Sequence, residues 1–397
     1  MRVLFVNHTA VVGGGERSLL ELLSALALQD DVELLLATPS GALQALAEQR
    51  GIATTPIRGT AGSLRLHPLH TPRALLEMAL AAWQVRRAAA RHRAEVVHAN
   101  SIRAGIVLAI ARIRGRARIV HVRDCLPPGR LSSATLRLIA ASATTVIANS
   151  RYTAEAVRSV APRARLRVVY NAVELTRFDP SRIDRAAARA QLGVDGERPV
   201  LLGVVAQITP WKGQDTAIEA LRLLREDGVD ARLLLVGAAK FVAAATRFDN
   251  EDYVARLHQL IERAGLGEHV EWLGERDDVP EVVRALDVLL LPSWEEPFGR
   301  AAIEAMALEV PVVATTVGGP AEIVLDGREG YLAEPRRPRA WADAVGAVLQ
   351  SADRGAAMGH AGREHVEREF TIAQHVASIR AIYRSAYDAA ERGDQRL

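Results

Sequence analysis

LLLPSWEEPFGRAAIEAMALEVPVVATTVGG, from Leu289 to Gly319, decides the fold of this 397-residue chain. An apolar run ends at Pro292, a loop with two adjacent carboxylates follows, and a helix is expected from near Phe298 with a glycine and an arginine in its first turn. A second apolar run, VPVVATT, then closes on two glycines. Strand, loop, helix and strand in that order form the repeating unit of a parallel sheet with crossover helices. A helix N-terminus at the carboxyl edge of such a sheet offers free amides and the positive end of the helix dipole to an anion. Glu296 and Glu304 lie eight residues apart. The helix expected here puts the first in its entry loop and the second about two turns inside, so they can hold separate parts of one extended ligand. A carboxylate accepts well from vicinal hydroxyls, a feature that sugars and ribose share.

The same alternation runs outward in both directions. RVLFV, VELLLA, EVVHA, RIVHV, TVIANS and LRVVYN recur before residue 172, and PVLLGVV, ARLLLVG, VEWLG and VLLLPS after residue 198. Between them, NAVELTRFDPSRIDRAAARAQLGVDGERP carries turn residues and charge with little core pattern and reads as a linker. Two doubly wound α/β domains are therefore expected, over residues 1–178 and 179–373, which suits the length.

Near the start, VVGGGERSLLELL places three glycines between a strand and a helix. A dinucleotide fold wants G-x-G-x-x-G and then an acidic residue ending the second strand. Gly13, Gly15 and Ser18 fit that pattern only in part, and the second strand ends in Thr38 and Pro39, so a dehydrogenase is excluded. Gly14 and Gly15 remain either a plain tight turn or a loop that lets backbone approach a phosphate. Glu16 is either a helix-stabilising acid or a ligand to an acceptor hydroxyl.

Composition narrows the class further. A hydrophobic share of 49% with 24% charged residues describes a globular protein, and the single cysteine, Cys125, leaves a reducing compartment as the natural reading. The opening MRVLFVNH turns polar before a signal-peptide core can build, and charges interrupt every apolar run. A cytoplasmic protein is expected, with peripheral contact at the inner face of a membrane as an open alternative. The net charge of +3 hides an asymmetry: up to Pro180 there are 24 arginines and no lysine against 12 acidic residues, and after it 26 basic against 35 acidic. The front half suits an anionic partner such as a phospholipid or a polyprenyl diphosphate, or it is a solvated surface in an arginine-rich chain. Around Trp83, VRRAAARHR reads as a packed helix with a basic outer face in preference to a membrane-facing one. No nucleic-acid partner is expected.

With EPFGRAAIE and its trailing AMALEVPVVATTVGGPAEIV in place, the chain resembles the retaining glycosyltransferases of family 4, which have the GT-B fold of two Rossmann-like domains facing an interdomain cleft. The resemblance covers nearly the whole chain. GGGE, IVHVRD, IANS, VVYNAVELTRF, PWKGQD, LLLVG and VEWLGE follow in the family's order. It implies that Glu296 contacts donor-sugar hydroxyls, that Glu304 holds the nucleotide ribose, and that the backbone of Phe298, Gly299 and Arg300 faces the sugar and diphosphate. It further implies that Lys212 neutralises the diphosphate, that Leu273 lies beside the nucleobase, and that His121 touches the donor sugar. The alternatives are that His121 is a buried structural histidine and Lys212 a loop lysine. His98, Asn100 and Arg123 are acceptor-side candidates. The first domain would bind a sugar, lipid-linked or small-molecule acceptor, the second a UDP- or GDP-linked donor, and a final helix at about 374–397 would return to the first domain. No metal or other cofactor is expected, since the chain has no D-x-D pair and positive side chains with a helix end replace the cation. One position departs from the family: Gln207 stands where an arginine is common, and an amide can hydrogen-bond a phosphate but not neutralise it. A nucleotide-sugar 2-epimerase of the same fold and a non-catalytic donor-binding partner of another transferase are the alternatives.

Overall fold

Parallel strands buried on both faces need continuous apolar runs, and Val96, Val97, His98 and Ala99 are accordingly all buried. The computed structural model describes residues 1–60, 70–240 and 249–394. It divides into two units, Met1–Ala172 with the chain from Ile372 onward, and Val173–Thr371.

The first unit alternates β1 (Arg2–Val6), α1 (Gly14–Ala27), β2 (Glu33–Thr38), α2 (Ala42–Gln49), β3 (Thr54–Pro56), α3 (His70–Arg91), β4 (Val96–Ala99), α4 (Ile102–Ala111), β5 (Ala117–Val122), α5 (Arg130–Ser142), β6 (Thr145–Ala148), α6 (Arg151–Arg158) and β7 (Leu166–Val168). Its parallel sheet runs β3-β2-β1-β4-β5-β6-β7, so strand order reverses between β1 and β4. Leu19, Leu22, Leu23 and Leu26 of α1 pack on one face with Phe5 and Ile119, and Val85, Ile106 and Ile139 pack on the other with Leu4 and Val120. Each fully buried leucine, valine or isoleucine is worth roughly 1.5–3 kcal/mol.

The second unit contains α7 (Arg185–Gln191), β8 (Val200–Val205), α8 (Gln214–Glu226), β9 (Ala231–Val236), α9 (Asn250–Arg263), β10 (Val270–Gly274), α10 (Val279–Ala285), β11 (Val288–Leu291), α11 (Arg300–Ala307), β12 (Val312–Thr315), α12 (Pro320–Ile323), β13 (Gly330–Ala333), α13 (Pro338–Val348) and α14 (Ala352–Glu369). Its sheet runs β10-β9-β8-β11-β12-β13 and reverses between β8 and β11. The last helix, α15 (Ile372–Asp394), belongs to the first unit, where Ile379 and Tyr383 join the α1 core and Arg380 pairs with Asp31 at 2.6 Å. Residues 395–397 of the expected terminal helix lie outside the described residues.

Three expectations are corrected. The division falls after Ala172, not after residue 178, because Val173 bridges Thr371 and Phe178 is buried with its carbonyl accepting from Arg363 at 2.8 Å. The stretch read as a linker is packed structure. In it Arg189, 1% exposed, donates to the carbonyls of Gly196, Ala285 and Pro199 and pairs with Asp287 at 3.1 Å. Finally, α11 begins at Arg300, with Gly299 as its cap, so Glu304 sits little more than one turn inside.

Candidate donor and acceptor sites

Both sheets reverse strand order, and ligands of open α/β sheets bind outside the carboxyl ends of the strands at that point. In the second unit the residues there come from the turn after β8 and the loop after β11. Lys212 lies in a single 3₁₀ turn, Pro210–Lys212, and Gly213 then caps α8. The Lys212 ammonium sits 2.6 Å from Glu296 Oε2 and 4.0 Å from the centre of the Trp211 ring. Ser293 Oγ donates to the same carboxylate oxygen at 2.8 Å. Glu296 is buried, and its backbone is clamped: its amide donates to Val317 and its carbonyl accepts from Gly319 at 2.9 Å. Gly318 makes this clamp feasible. Its φ is +108°, and a Cβ there would lie 2.0 Å from the Glu296 carbonyl oxygen. A Cβ on Gly213, whose φ is +71°, would likewise lie 2.0 Å from the Pro292 carbonyl oxygen, so the lysine turn packs backbone to backbone against the carboxylate loop.

One helical turn further on, Arg300 Nη2 donates to Glu304 Oε1 at 2.8 Å, both side chains largely buried. The Phe298 side chain is buried edge-on to Phe370, ring centres 6.1 Å apart, so it presents only backbone to a ligand. Helices α8 and α11 both begin at this edge, after the adjacent strands β8 and β11, and so present the positive ends of two helix dipoles there. The cluster thus offers one ammonium, two carboxylates and two helix ends, a set suited to a diphosphate joined to hydroxyl-rich groups. Leu273 is half-buried on the edge strand β10 and stands apart from the Lys212–Glu296 pair. Gln207 Nε2 donates to the Lys240 carbonyl at 3.2 Å, and the Lys240 ammonium pairs with Glu275 at 2.5 Å. The second of the chain's two lysines therefore stands beside the position where arginine is missing.

In the first unit, Asn7 follows β1 and Asn100 follows β4, and Asn100 Nδ2 donates to Asn7 Oδ1 at 3.1 Å across the strand reversal. Arg123, 7% exposed at the end of β5, donates to Asn100 Oδ1 (3.0 Å), Ser18 Oγ (3.1 Å) and Asn171 Oδ1 (2.6 Å). The structure thus brings Asn100 and Arg123 together, with these polar atoms satisfied inside the protein. Glu16 accepts from the Gly13 amide at 3.1 Å and from Asn7 Nδ2 at 3.4 Å, the capping role. Burial pushes its carboxyl above the ordinary range. Neither φ nor packing requires the neighbouring glycines: a Cβ on Gly14 would meet nothing within 4 Å and one on Gly15 only the Arg123 stem at 3.8 Å.

One reading fails on burial. His98 is fully buried, stacked on Phe5 at 4.8 Å and hydrogen-bonded to Tyr383 Oη at 2.6 Å, so it is a core histidine and not an acceptor contact. His121, inside β5, is equally buried, with its ring 5.6 Å from that of His98 and both ring nitrogens without a hydrogen-bond partner among the described residues. Burial, and then the Arg123 charge, holds both imidazoles well below their usual pKa and therefore neutral. Sequence reasoning missed Ser293, Trp211, Asn7, Ser18 and Asn171. The first two flank Glu296 and Lys212 in the chain, and that adjacency was the available signal.

Residues 184–365 match the family described as glycosyl transferases group 1, and residues 12–177 match glycosyltransferase family 4. The D-inositol 3-phosphate glycosyltransferase of Actinosynnema mirum is 31% identical over 331 residues, 77% of this chain and 76% of that protein. Its counterpart in Nocardia farcinica is 34% identical over 289 residues, 67% of this chain and 61% of that protein. Against several of these curated relatives the matched region spans only about half to three-fifths of their length. Anabaena HepE, solved with UDP, with UDP-glucose and with UDP and glucose, superposes with a TM-score of 0.81 at 29% identity over 97% of this chain and 100% of that one. Sucrose-phosphate synthase from Thermosynechococcus elongatus shares the fold, with a TM-score of 0.79 at 22% identity over 98% of this chain and 99% of that one.

Proposed function

Since the chain belongs to the group 1 glycosyltransferases of family 4 and has their two-domain GT-B fold, we propose that it moves a hexosyl sugar from a nucleotide-sugar donor to an acceptor hydroxyl. The reading rests above all on one observation, the Lys212 ammonium held 2.6 Å from Glu296 at the strand reversal of the second sheet. A UDP-linked donor is favoured by HepE, which binds UDP and UDP-glucose.

On this reading the donor diphosphate takes the place of Glu296 beside Lys212, and Glu296 turns to the sugar hydroxyls. Glu304 accepts from the ribose hydroxyls. As the bond from the anomeric carbon to the diphosphate breaks, negative charge grows on the leaving oxygen, where Lys212 and the amides opening α11 stabilise it. One such donor is worth about 3–4 kcal/mol of barrier. The acceptor oxygen bonds to the same face of the anomeric carbon, and its proton passes to the leaving phosphate. Retention therefore needs no protein nucleophile. Charge neutralisation by Lys212 and the helix ends is what a divalent cation would otherwise supply, so transfer is proposed to be metal-independent.

The test is product analysis. UDP-glucose incubated with the protein, a panel of acceptors and EDTA should yield UDP and an α-linked glucoside, as read by NMR of the anomeric proton. A β-linked product would overturn retention, and turnover abolished by EDTA and restored by a divalent ion would overturn metal independence.

A further inference from the structure

The outer side of the first unit carries an arrangement that sugar transfer does not use. From His70 to Ser142 the chain has 13 arginines against three acidic residues, Glu77, Glu95 and Asp124. In this span α3, α4 and α5 lie side by side over one face of the sheet, with α4 in the middle. The inward sides of these helices are ordinary core. On the outward side of α3, Leu76 and Trp83 are 71% and 55% exposed, with Leu75 and Leu80 exposed beside them. Leu76, Leu80 and Trp83 fall on one helical stripe, and Arg87 continues it, its guanidinium 5.3 Å from the Trp83 ring. Ile110 on α4 and Leu131 and Leu138 on α5 extend the exposed apolar surface across the layer. The one acid of α3, Glu77, is already paired with Arg58 and Arg73 at 3.2 Å each. Helices α4 and α5 contain no acid.

Beside this surface, Arg112, Arg114 and Arg118 line an open pocket of about 240 Å³ with Leu108, Ala109 and Ser142. Among the described residues no carboxylate pairs with any of the three, and Arg118 Nε is buried without a partner. Clustered guanidinium groups without counter-charge are the chemistry that takes a phosphodiester bidentately. Exposed tryptophan and leucine within an arginine field are the complement of an anionic lipid interface.

We propose that the α3–α4–α5 face docks the protein on a bilayer containing anionic phospholipid. Leu76, Leu80 and Trp83 enter the headgroup boundary, and the Arg112–Arg114–Arg118 pocket receives a lipid phosphate. Co-sedimentation of the full chain with phosphatidylcholine vesicles, with and without phosphatidylglycerol, tests it. Binding is expected only with the anionic lipid, weakening as salt is raised. Arg112→Ala and Arg114→Ala should each lower partitioning on the order of fivefold. Leu76→Ser with Leu80→Ser should lower it at unchanged charge, and vesicle binding should shift tryptophan emission to the blue in the wild type but not in Trp83→Phe. Circular dichroism and melting temperature verify that each variant is folded. Three results would overturn the proposal: no binding at low salt, binding indifferent to these substitutions, or a dimer abolished by the leucine substitutions, which would assign the face to a second copy. Saturable binding of inorganic phosphate by a protein that ignores anionic vesicles would equally overturn it, by assigning the pocket to a soluble anion. None of these readouts depends on sugar transfer.

Discussion

Lys212 and Glu296, 84 residues apart in sequence, form an ion pair of 2.6 Å in which Ser293 completes the carboxylate's contacts. The pair satisfies each charge in a largely buried setting, where either one alone would be costly. A donor diphosphate must therefore compete with Glu296 for the ammonium. Lys212→Ala should lower turnover by about 10²–10³-fold and weaken UDP binding. Glu296→Gln should lower turnover while leaving UDP binding equal or tighter, because the competitor loses its charge. Steady-state kinetics beside equilibrium UDP titration separates the two effects, and weakened UDP binding in Glu296→Gln would argue against competition.

Glu304 faces the proposed ribose and is held by Arg300 at 2.8 Å. Removing a charged hydrogen-bond acceptor of this kind typically costs about 1.5–3 kcal/mol. Glu304→Ala should raise the Kd for UDP by roughly 10- to 100-fold, with far less effect on melting temperature. Equal affinity in the variant would remove the ribose assignment.

Gly318 cannot carry a side chain without displacing the Glu296 carbonyl. Strain from the backbone conformation alone is about 1–3 kcal/mol, so Gly318→Ala should lower stability in urea unfolding by at least that much and disturb UDP binding with it. A variant as stable as the wild type would show that the clamp on the Glu296 loop is not needed.

His8 gives the pH dependence its sign. Burial, with the Arg103 charge adding to it, pushes its imidazole down to about 3 from an ordinary 6.5. Its nitrogen bonds Ser101 Oγ at 2.9 Å. The neutral form is favoured on folding, so the contribution is fully present above pH 6.5 and is lost as pH falls toward 3. Its slope is up to about 1.4 kcal/mol per pH unit. Unfolding free energies of His8→Gln across that range should show a slope shallower by one proton, and parallel curves would contradict the shift.

The paired α/β architecture was legible because parallel strands announce themselves as apolar runs, and the strands quoted from sequence all form. The two strands missed, Thr54–Pro56 and Gly330–Ala333, sit at sheet edges, where short or half-buried segments carry little apolar signal. Arg189 misled for a related reason. A buried arginine whose donors are taken by carbonyls and Asp287 is written with the same letter as a solvated one. Motif spacing singled out Glu296, Glu304 and Lys212 as candidates, but not the contact of Lys212 with Glu296 or of Ser293 with the same carboxylate, which depend on β8 and β11 being neighbours. His98 was indistinguishable from a ligand because strand-end histidines and core histidines share a pattern; only the packing of Phe5 and Tyr383 decides between them.

The most direct test of the central claim is calorimetric titration of the protein with UDP in EDTA, alongside Lys212→Ala and Glu304→Ala. Saturable binding at one site per chain, indifferent to chelator and weakened in both variants, is the expected result. Absence of binding by UDP, GDP and ADP alike, or binding that both variants retain in full, would contradict the donor site assigned to Lys212, Glu296 and Glu304.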